Sequence, residues 1–149
     1  MQLANYTIDK KEYNMLPRNL ETLTDVSERG VLPNNMRLCL PTFKGFIILK
    51  LEDIVYCEAQ RSYTVFHLVN GKTITISKPL FDYDKLLAGT AFLRIHKSFL
   101  INLFHAKEYI RGDGGTVIMS NGADIEVSRR KKNQFLSKVK ESFLIHHNN

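Results

Sequence analysis

Hydrophobic and polar positions follow two regimes along the chain, with the change near residue 36. Before it, polar residues dominate, with Asn5, Asn14, Asn19, Asn34 and Asn35 and with Pro17 and Pro33 as punctuation. This stretch predicts a linker or N-terminal arm over 1–35, with a short helix over Asn19–Arg29 carrying Leu20, Leu23 and Val26. After it the period becomes that of strands. Arg37–Phe43 alternates, Lys44-Gly45 turns, and Phe46–Lys50 runs back as the second half of a hairpin. Ile54–Glu58 is a further strand behind Asp53. Ser62–Val69 carries Tyr63, Thr64, Val65, Phe66 and Val69, β-branched and aromatic types that fit a pleated surface. Asn70-Gly71 marks a tight hairpin, because both residues tolerate positive φ, and Lys72–Ser77 alternates back from it.

Further on, Phe92–His96 predicts a short strand, and Ser98–Leu103 a compact apolar turn or single helical turn. His105–Arg111 and Thr116–Met119 are strands around Gly112-Asp113-Gly114-Gly115, and Asn121-Gly122 turns the chain into Ala123–Val127. Only two segments of this part have helical spacing. One starts at Ser77-Lys78-Pro79, with Asp82 and Asp84 near the positive end of its dipole, Leu80, Tyr83 and Leu87 on its apolar side, and Gly89 as a stop. The other has Ser128 as its cap and Phe135, Leu136, Val139 and Phe143 as one apolar stripe. The fold class that follows is mainly β with few helices, one domain over 36–145 and a flexible tail over 146–149.

Composition narrows the classes. With 44% hydrophobic and 24% charged residues in 149, the chain can bury a core without disulfides or metal. It has no apolar run of the roughly 18 residues a membrane span needs, and Met1–Lys10 lacks the pattern of a signal peptide. A cytoplasmic protein without membrane contact is expected. Cys39 and Cys57 are too few for a disulfide framework and sit in apolar runs, which predicts reduced core thiols, no metal and no cofactor.

Charge adds a direction. The net charge is +6. Residues 1–93 hold 11 Lys/Arg against 10 Asp/Glu, whereas residues 94–149 hold 10 against 5. Four of the five histidines also lie in that last third. A polyanionic partner at one end of the domain follows. Arg129, Arg130, Lys131 and Lys132 crowd the start of the last helix. Cations there oppose the helix macrodipole by about 0.3–1 kcal/mol each, a cost that an anion docking at the helix end offsets.

These residues also carry a family likeness. Glu52-Asp53-Ile54-Val55-Tyr56-Cys57-Glu58-Ala59 followed by Ser62-Tyr63-Thr64, then Phe92-Leu93-Arg94-Ile95-His96-Lys97-Ser98-Phe99-Leu100-Ile101-Asn102, then Ile125-Glu126-Val127-Ser128-Arg129-Arg130, together resemble the LytTR DNA-binding domain. The Arg-x-His-x-Ser-Phe-x-x-Asn run is the most specific part, and the likeness spans roughly Arg37 to Phe143. It implies an elongated fold of antiparallel strands in three small sheets. It also implies an output domain of bacterial response regulators in two-component phosphorelay signalling, regulating transcription on duplex DNA with repeated sites, often as a homodimer on the DNA. An N-terminal receiver domain, driven by a sensor kinase, is the usual partner upstream; 35 residues cannot form one, so the chain is either an isolated output domain or a stand-alone member.

Carried onto this sequence, the likeness implies three contact segments. In Gln60-Arg61-Ser62-Tyr63, Ser62 is placed at bases and Arg61 and Tyr63 at phosphates, against the alternative of a tight polar turn with Tyr63 packed on the sheet. In Arg94–Ser98, Lys97 donates to guanine, Arg94 and Ser98 hold phosphates, and His96 either fixes the loop or touches DNA. In Ser128–Lys132, Arg130 takes a guanine bidentately while Ser128, Arg129, Lys131 and Lys132 hold phosphates. Lys78 is a further phosphate candidate, and Asn102 satisfies backbone groups in its turn. With about five phosphates neutralised, log K falls against log salt with a slope near −4 to −5.

Two rival readings remain at this point. An enzyme has little to stand on: His96, His105, Asp113 and Ser128 form no triad spacing, Gly112–Gly115 reads as a hairpin turn rather than a phosphate loop, and His146-His147 lies in the tail. A non-enzymatic protein- or single-strand-binding β module would use the Tyr63–Phe66 strand to stack bases.

Overall fold

The computed structural model describes residues 6–8 and 36–146. The expected helix over Asn19–Arg29 and the last three residues of the tail lie outside the described residues. The chain forms a six-stranded sheet, a three-stranded sheet and a two-stranded hairpin, with two α-helices among the described residues.

The hairpin pairs β2 (Arg37–Thr42) with β3 (Gly45–Lys50), from Arg37 opposite Lys50 to Thr42 opposite Gly45. Its turn is Phe43-Lys44, one residue earlier than the pattern suggests, so Phe43 sits exposed at the tip. The large sheet runs β1-β6-β5-β4-β8-β7. Its long hairpin joins β4 (Ile54–Gln60) to β5 (Tyr63–Leu68), and β6 (Thr73–Ile76) follows the Asn70-Gly71 turn, where Gly71 has φ +82°. At the far edge β1 (Tyr6–Ile8) pairs with β6 in parallel, Thr7 opposite Thr75. A three-residue strand drawn from the polar N-terminal stretch leaves no periodic signal, and this is the one parallel pairing in otherwise antiparallel sheets.

The helix α1 (Leu80–Leu86) crosses from β6 to β7 (Phe92–His96), with Pro79 just outside its first residue. Ser98–Leu103 then departs from the turn or helical turn the sequence suggests. Phe99–Asn102 is β8, hydrogen-bonded between β4 and β7. A strand with neighbours on both sides and cover on both faces buries Leu100 and Ile101 alike, so its alternation is erased and it reads as a plain apolar run. The small sheet is β9 (Ala106–Ile110), β10 (Thr116–Met119) and β11 (Asp124–Glu126), in the order β11-β10-β9. The last helix, α2, covers Lys132–Ser142, and Phe143 falls just beyond it.

Two cores result. Cys57, Phe66, Ile74, Ile76 and Leu100 on one face of the large sheet meet Leu38, Leu40 and Leu49 of the hairpin and Leu80 and Tyr83 of α1. Val55, Leu93, Ile95 and Ile101 on the other face meet Val117, Met119 and Ile125 of the small sheet and Phe135 of α2. The sheet is thus covered on both sides, and β7 is bonded to the entry of α2 through the Ile95 carbonyl. Burial pushes the Cys57 thiol well above its ordinary range and raises Cys39 less deeply; both thiols are free.

Candidate nucleic-acid interface

The three sequence segments singled out above are tied together by main-chain hydrogen bonds. The Ala59 amide donates to the Ser98 carbonyl at 2.8 Å, which sets the β4–β5 turn beside the β7–β8 turn. The Ser128 amide donates to the Ile95 carbonyl at 2.9 Å, which sets the entry to α2 beside the same turn. The second bond has a local cause. Arg94 lies opposite Leu100 and His96 opposite Phe99, so β7 carries one extra residue there. Such a bulge leaves Ile95 outside the ladder and re-aims its main chain. Its carbonyl is the group that Ser128 takes.

In the β4–β5 turn, Gln60 pairs with Tyr63 across a two-residue loop of Arg61 and Ser62, both exposed. Arg61 has φ 56°, the only positive φ of a non-glycine residue among those described. Residues held there mark turns in which structure outweighs local preference. Tyr63 is 39% exposed rather than packed away.

The β7–β8 turn is braced from inside. His96 Nδ1 accepts from the Ser98 amide at 3.0 Å, so that nitrogen carries no proton in this arrangement. The His96 ring lies 5.6 Å from Phe99. Arg94 Nε donates to the His96 carbonyl at 2.9 Å, Nη2 donates to the Lys97 carbonyl, and Nη1 lies 3.8 Å from Asp84 Oδ2 of α1. Lys97 itself is exposed. At the far end of β8 from this turn, Asn102 is 2% exposed. Its Nδ2 donates to the Leu51 and Ile54 carbonyls at 3.2 and 3.0 Å, and its Oδ1 accepts from the Phe104 amide at 3.1 Å.

The entry to α2 differs from the expected cap. A 3-10 turn over Arg129–Lys131 precedes the helix, and the Ser128 side chain makes no capping bond. Its carbonyl instead accepts from the Lys131 amide at 3.0 Å. Lys131, the residue just before α2, offers no side-chain cap either. The Lys131 and Lys132 amides are taken by the Ser128 and Arg129 carbonyls, so the amides left without an intrahelical partner are those of Arg129 and Arg130, within a run of four cations. Arg129 and Arg130 are exposed, Lys131 and Lys132 half-buried.

Lys78 follows β6 at the Tyr63 end of the large sheet, where its carbonyl accepts from Thr64 Oγ1 at 2.7 Å. Its ammonium lies 3.8 Å from Asp82, and its side chain is only 12% exposed. Sequence reasoning missed the part played by Gly112–Gly115. Tyr109 Oη donates to the Gly114 carbonyl at 2.7 Å, the Lys132 ammonium lies 3.4 Å from the Gly112 carbonyl, and a Cβ at Gly114 would overlap the Val127 carbonyl. The loop therefore rests directly against the segment that leads into the basic turn. The glycine cluster was the available signal, but it points equally to an ordinary hairpin. Asp84, expected only as an acid near the helix start, lies beyond the first turn and faces Arg94, a pairing with no sequence signal.

Among the described residues no group of three or more His, Cys, Asp or Glu side chains is disposed to hold a metal, and no helix is long and apolar enough to cross a membrane.

Comparison with known proteins agrees with this arrangement. The family described as the LytTr DNA-binding domain matches residues 44–140. The chain is 34% identical over 94 residues to the transcriptional regulatory protein LytR of Staphylococcus aureus strain N315, covering 62% of this chain and 38% of that protein. It is 29% identical over 125 residues to the sensory transduction protein LytT of Bacillus subtilis strain 168, covering 80% of this chain and 48% of that protein. It thus spans less than half the length of these curated relatives. Among solved structures, the LytTr DNA-binding domain of a response regulator from Bacillus cereus superposes with a TM-score of 0.60 at 26% identity, covering 69% of this chain and 95% of that one. The mainly β, three-sheet architecture and the sequence match together place the chain in the LytTR DNA-binding domain family.

Proposed function

We propose that the chain regulates transcription by gripping duplex DNA with the β4–β5 turn, the β7–β8 turn and the entry to α2. The observation that carries this reading is the pair of main-chain bonds, Ala59 to Ser98 and Ser128 to Ile95, that gather the three segments at one end of the large sheet. Six cations on these segments, Arg61, Lys97, Arg129, Arg130, Lys131 and Lys132, are exposed or half-buried, and no carboxylate lies within ion-pair distance of any of them among the described contacts.

In this reading Ser62, Lys97 and Arg130 read base edges, where Lys and Arg donate to guanine O6 and N7. Arg61, Tyr63, Ser98, Ser128, Arg129, Lys131 and Lys132 hold phosphates, which fix register without reading sequence. The Arg129 and Arg130 amides, which open the 3-10 turn ahead of α2 and have no main-chain acceptor among the described bonds, add donors for a phosphate. Lys78 contributes less, because a covered ammonium beside Asp82 gains less from a phosphate than a solvated one. His96 acts by holding the β7–β8 turn, and Asn102 by tying the far end of β8 to the start of β4. The protein works without catalysis, cofactor or membrane, in the cytoplasm, on repeated sites as a dimer on the DNA, downstream of a receiver domain and sensor kinase. The relatives named LytR and LytT, more than twice the aligned length, support that setting.

Selection from random-sequence duplexes with purified protein tests the reading. The expected product is a short motif recovered in repeat, bound as duplex in preference to either single strand. Preference for single strands in a competition gel shift would replace it with the stacking-module reading.

A further inference from the structure

We propose that Arg94 is a positioning residue of the DNA site and not a phosphate ligand: it fixes the main chain of the β7–β8 turn so that Lys97 and Ser98 meet the duplex in one orientation. The inference rests on the duplex-binding reading above and specifies how one of its cations works.

Three of the guanidinium's nitrogens are already committed. Nε and Nη2 donate to two successive carbonyls, of His96 and Lys97, and Nη1 faces Asp84 at 3.8 Å. The side chain is 18% exposed. A phosphate would have to compete with a carboxylate and two carbonyls for the same fork. The guanidinium holds both donors in one rigid planar fork, which a lysine ammonium does not reproduce. On the opposite side of the turn His96 Nδ1 takes the Ser98 amide, so carbonyls and amide of the turn are held by Arg94 and His96 together. Lys97 sits between these anchors, exposed and free of a carboxylate partner. Because the adjoining bulge also supplies the Ile95 carbonyl to Ser128, the placement of this turn and of the α2 entry are linked. Asp84 extends the brace to α1, remote from the turns.

Charge neutralisation and positioning leave different signatures. A phosphate ligand lowers affinity for every sequence alike and removes about one unit of salt slope when lost. A positioning residue keeps the slope and removes discrimination at the base its neighbour reads. The experiment measures specific and non-specific duplex binding of the full chain at several salt concentrations for wild type, Arg94→Gln, Arg94→Lys, Asp84→Asn, Lys97→Ala and the Arg94→Gln/Lys97→Ala pair. Amide exchange at Lys97, Ser98 and Phe99 is recorded in the free proteins. Expected are at least tenfold weaker specific binding for Arg94→Gln, an unchanged salt slope, little change in non-specific binding, and no further loss of specificity when Lys97→Ala already carries the change. Amide exchange at the turn rises. Arg94→Lys keeps the charge and loses the fork, so it behaves like Arg94→Gln if the proposal holds; as the gentler change it also serves should Arg94→Gln fail to fold. Asp84→Asn, at a half-exposed position, gives a two- to threefold effect in the same direction. A slope reduced by one unit with specificity intact, or rescue by Arg94→Lys, overturns positioning. Absence of duplex binding by the wild type overturns the functional reading instead, while faster amide exchange in Arg94→Gln would still report the brace.

Discussion

Arg61 offers a substitution that separates binding from folding with opposite signs. It occupies the left-handed region at φ 56°, where an L-residue with a Cβ pays about 1–2 kcal/mol. Glycine pays none of this in the folded turn but adds about 0.4–1 kcal/mol of freedom to the unfolded chain. The net for Arg61→Gly is a gain of roughly 0.5–1 kcal/mol, or a rise of about 2–4 °C in Tm for a domain of this size. The side chain is exposed and has no ion-pair partner among the described contacts, so nothing is lost from packing. Arg61→Ala keeps the Cβ and the strain, and stays near wild type. Both variants remove one phosphate ligand. The salt slope should fall by about 0.9, so that between 50 and 200 mM salt the wild type loses roughly 3.5-fold more affinity than either variant. Thermal melts of the free proteins and fluorescence anisotropy on a fixed duplex measure the two effects separately. If Arg61→Gly melts below Arg61→Ala, the turn conformation is not what costs stability. If both variants keep the full slope, Arg61 does not touch the backbone of DNA.

Four other outcomes follow from the same geometry. Arg130→Ala relaxes preference at one base position by about 1–3 kcal/mol of discrimination, whereas Lys131→Ala weakens all sequences alike and flattens the salt slope by about one unit; selection and salt titration on both variants decide. Asn102→Ala strands the Leu51 and Ile54 carbonyls and the Phe104 amide, and urea unfolding should show a loss of about 2–4 kcal/mol. Gly114→Ala drives a Cβ into the Val127 carbonyl, so the small-sheet loop and the α2 entry part company; about 1–3 kcal/mol of stability and at least tenfold of affinity go together, and a variant that melts lower but binds as before would detach the loop from the site. Arg129→Glu replaces a cation by an acid at the helix end and should raise the Tm of the free domain while weakening duplex binding, a pair of shifts read by melting and anisotropy on one preparation.

Legibility in the sequence followed the range of the interaction. Hairpins at Asn70-Gly71 and Asn121-Gly122 were plain, because a short turn and its flanking alternation are local; each loop holds three residues rather than the expected two, Val69–Gly71 and Ser120–Gly122, and only its glycine takes a positive φ. β8 was hidden because the cores on both faces of the sheet bury Leu100 and Ile101 alike, so the period that betrays a strand is absent. The cations were visible one by one, but what gathers them was not. The bulge at Ile95 is a matter of register between two strands, and the carbonyl it frees meets Ser128, thirty-odd residues later in the chain. Arg94 illustrates the same limit. Alternation places it on an accessible face beside His96, which suits a phosphate ligand; the two turn carbonyls that claim it lie only two and three residues away but depend on the bulge geometry, and the carboxylate of Asp84 comes from α1. Ser128 looked like a cap because Ser before a helical stripe usually is one, yet three residues of 3-10 turn intervene and its hydroxyl is left out of that role.

The entry to α2 combines two features that each work against folding. No side chain caps the first amides, at Ser128 or at Lys131, where a capping residue would contribute about 0.5–2 kcal/mol. Four successive cations stand where the macrodipole favours acids, at about 0.3–1 kcal/mol apiece. In the duplex reading proposed above a single event reverses both: a phosphate arriving at this entry accepts from the Arg129 and Arg130 amides and neutralises the cations at once. In that reading the hydroxyl left out of the cap and the charges that repel one another are held in reserve for a phosphate. The rest of the fold makes that reserve affordable in place, since the Ile95 carbonyl, the Gly114 loop and Phe135 in the core anchor the segment independently of its cap. Stability withheld at the contact surface and supplied from behind it is what lets the same residues be rigid before DNA arrives and unsatisfied until it does.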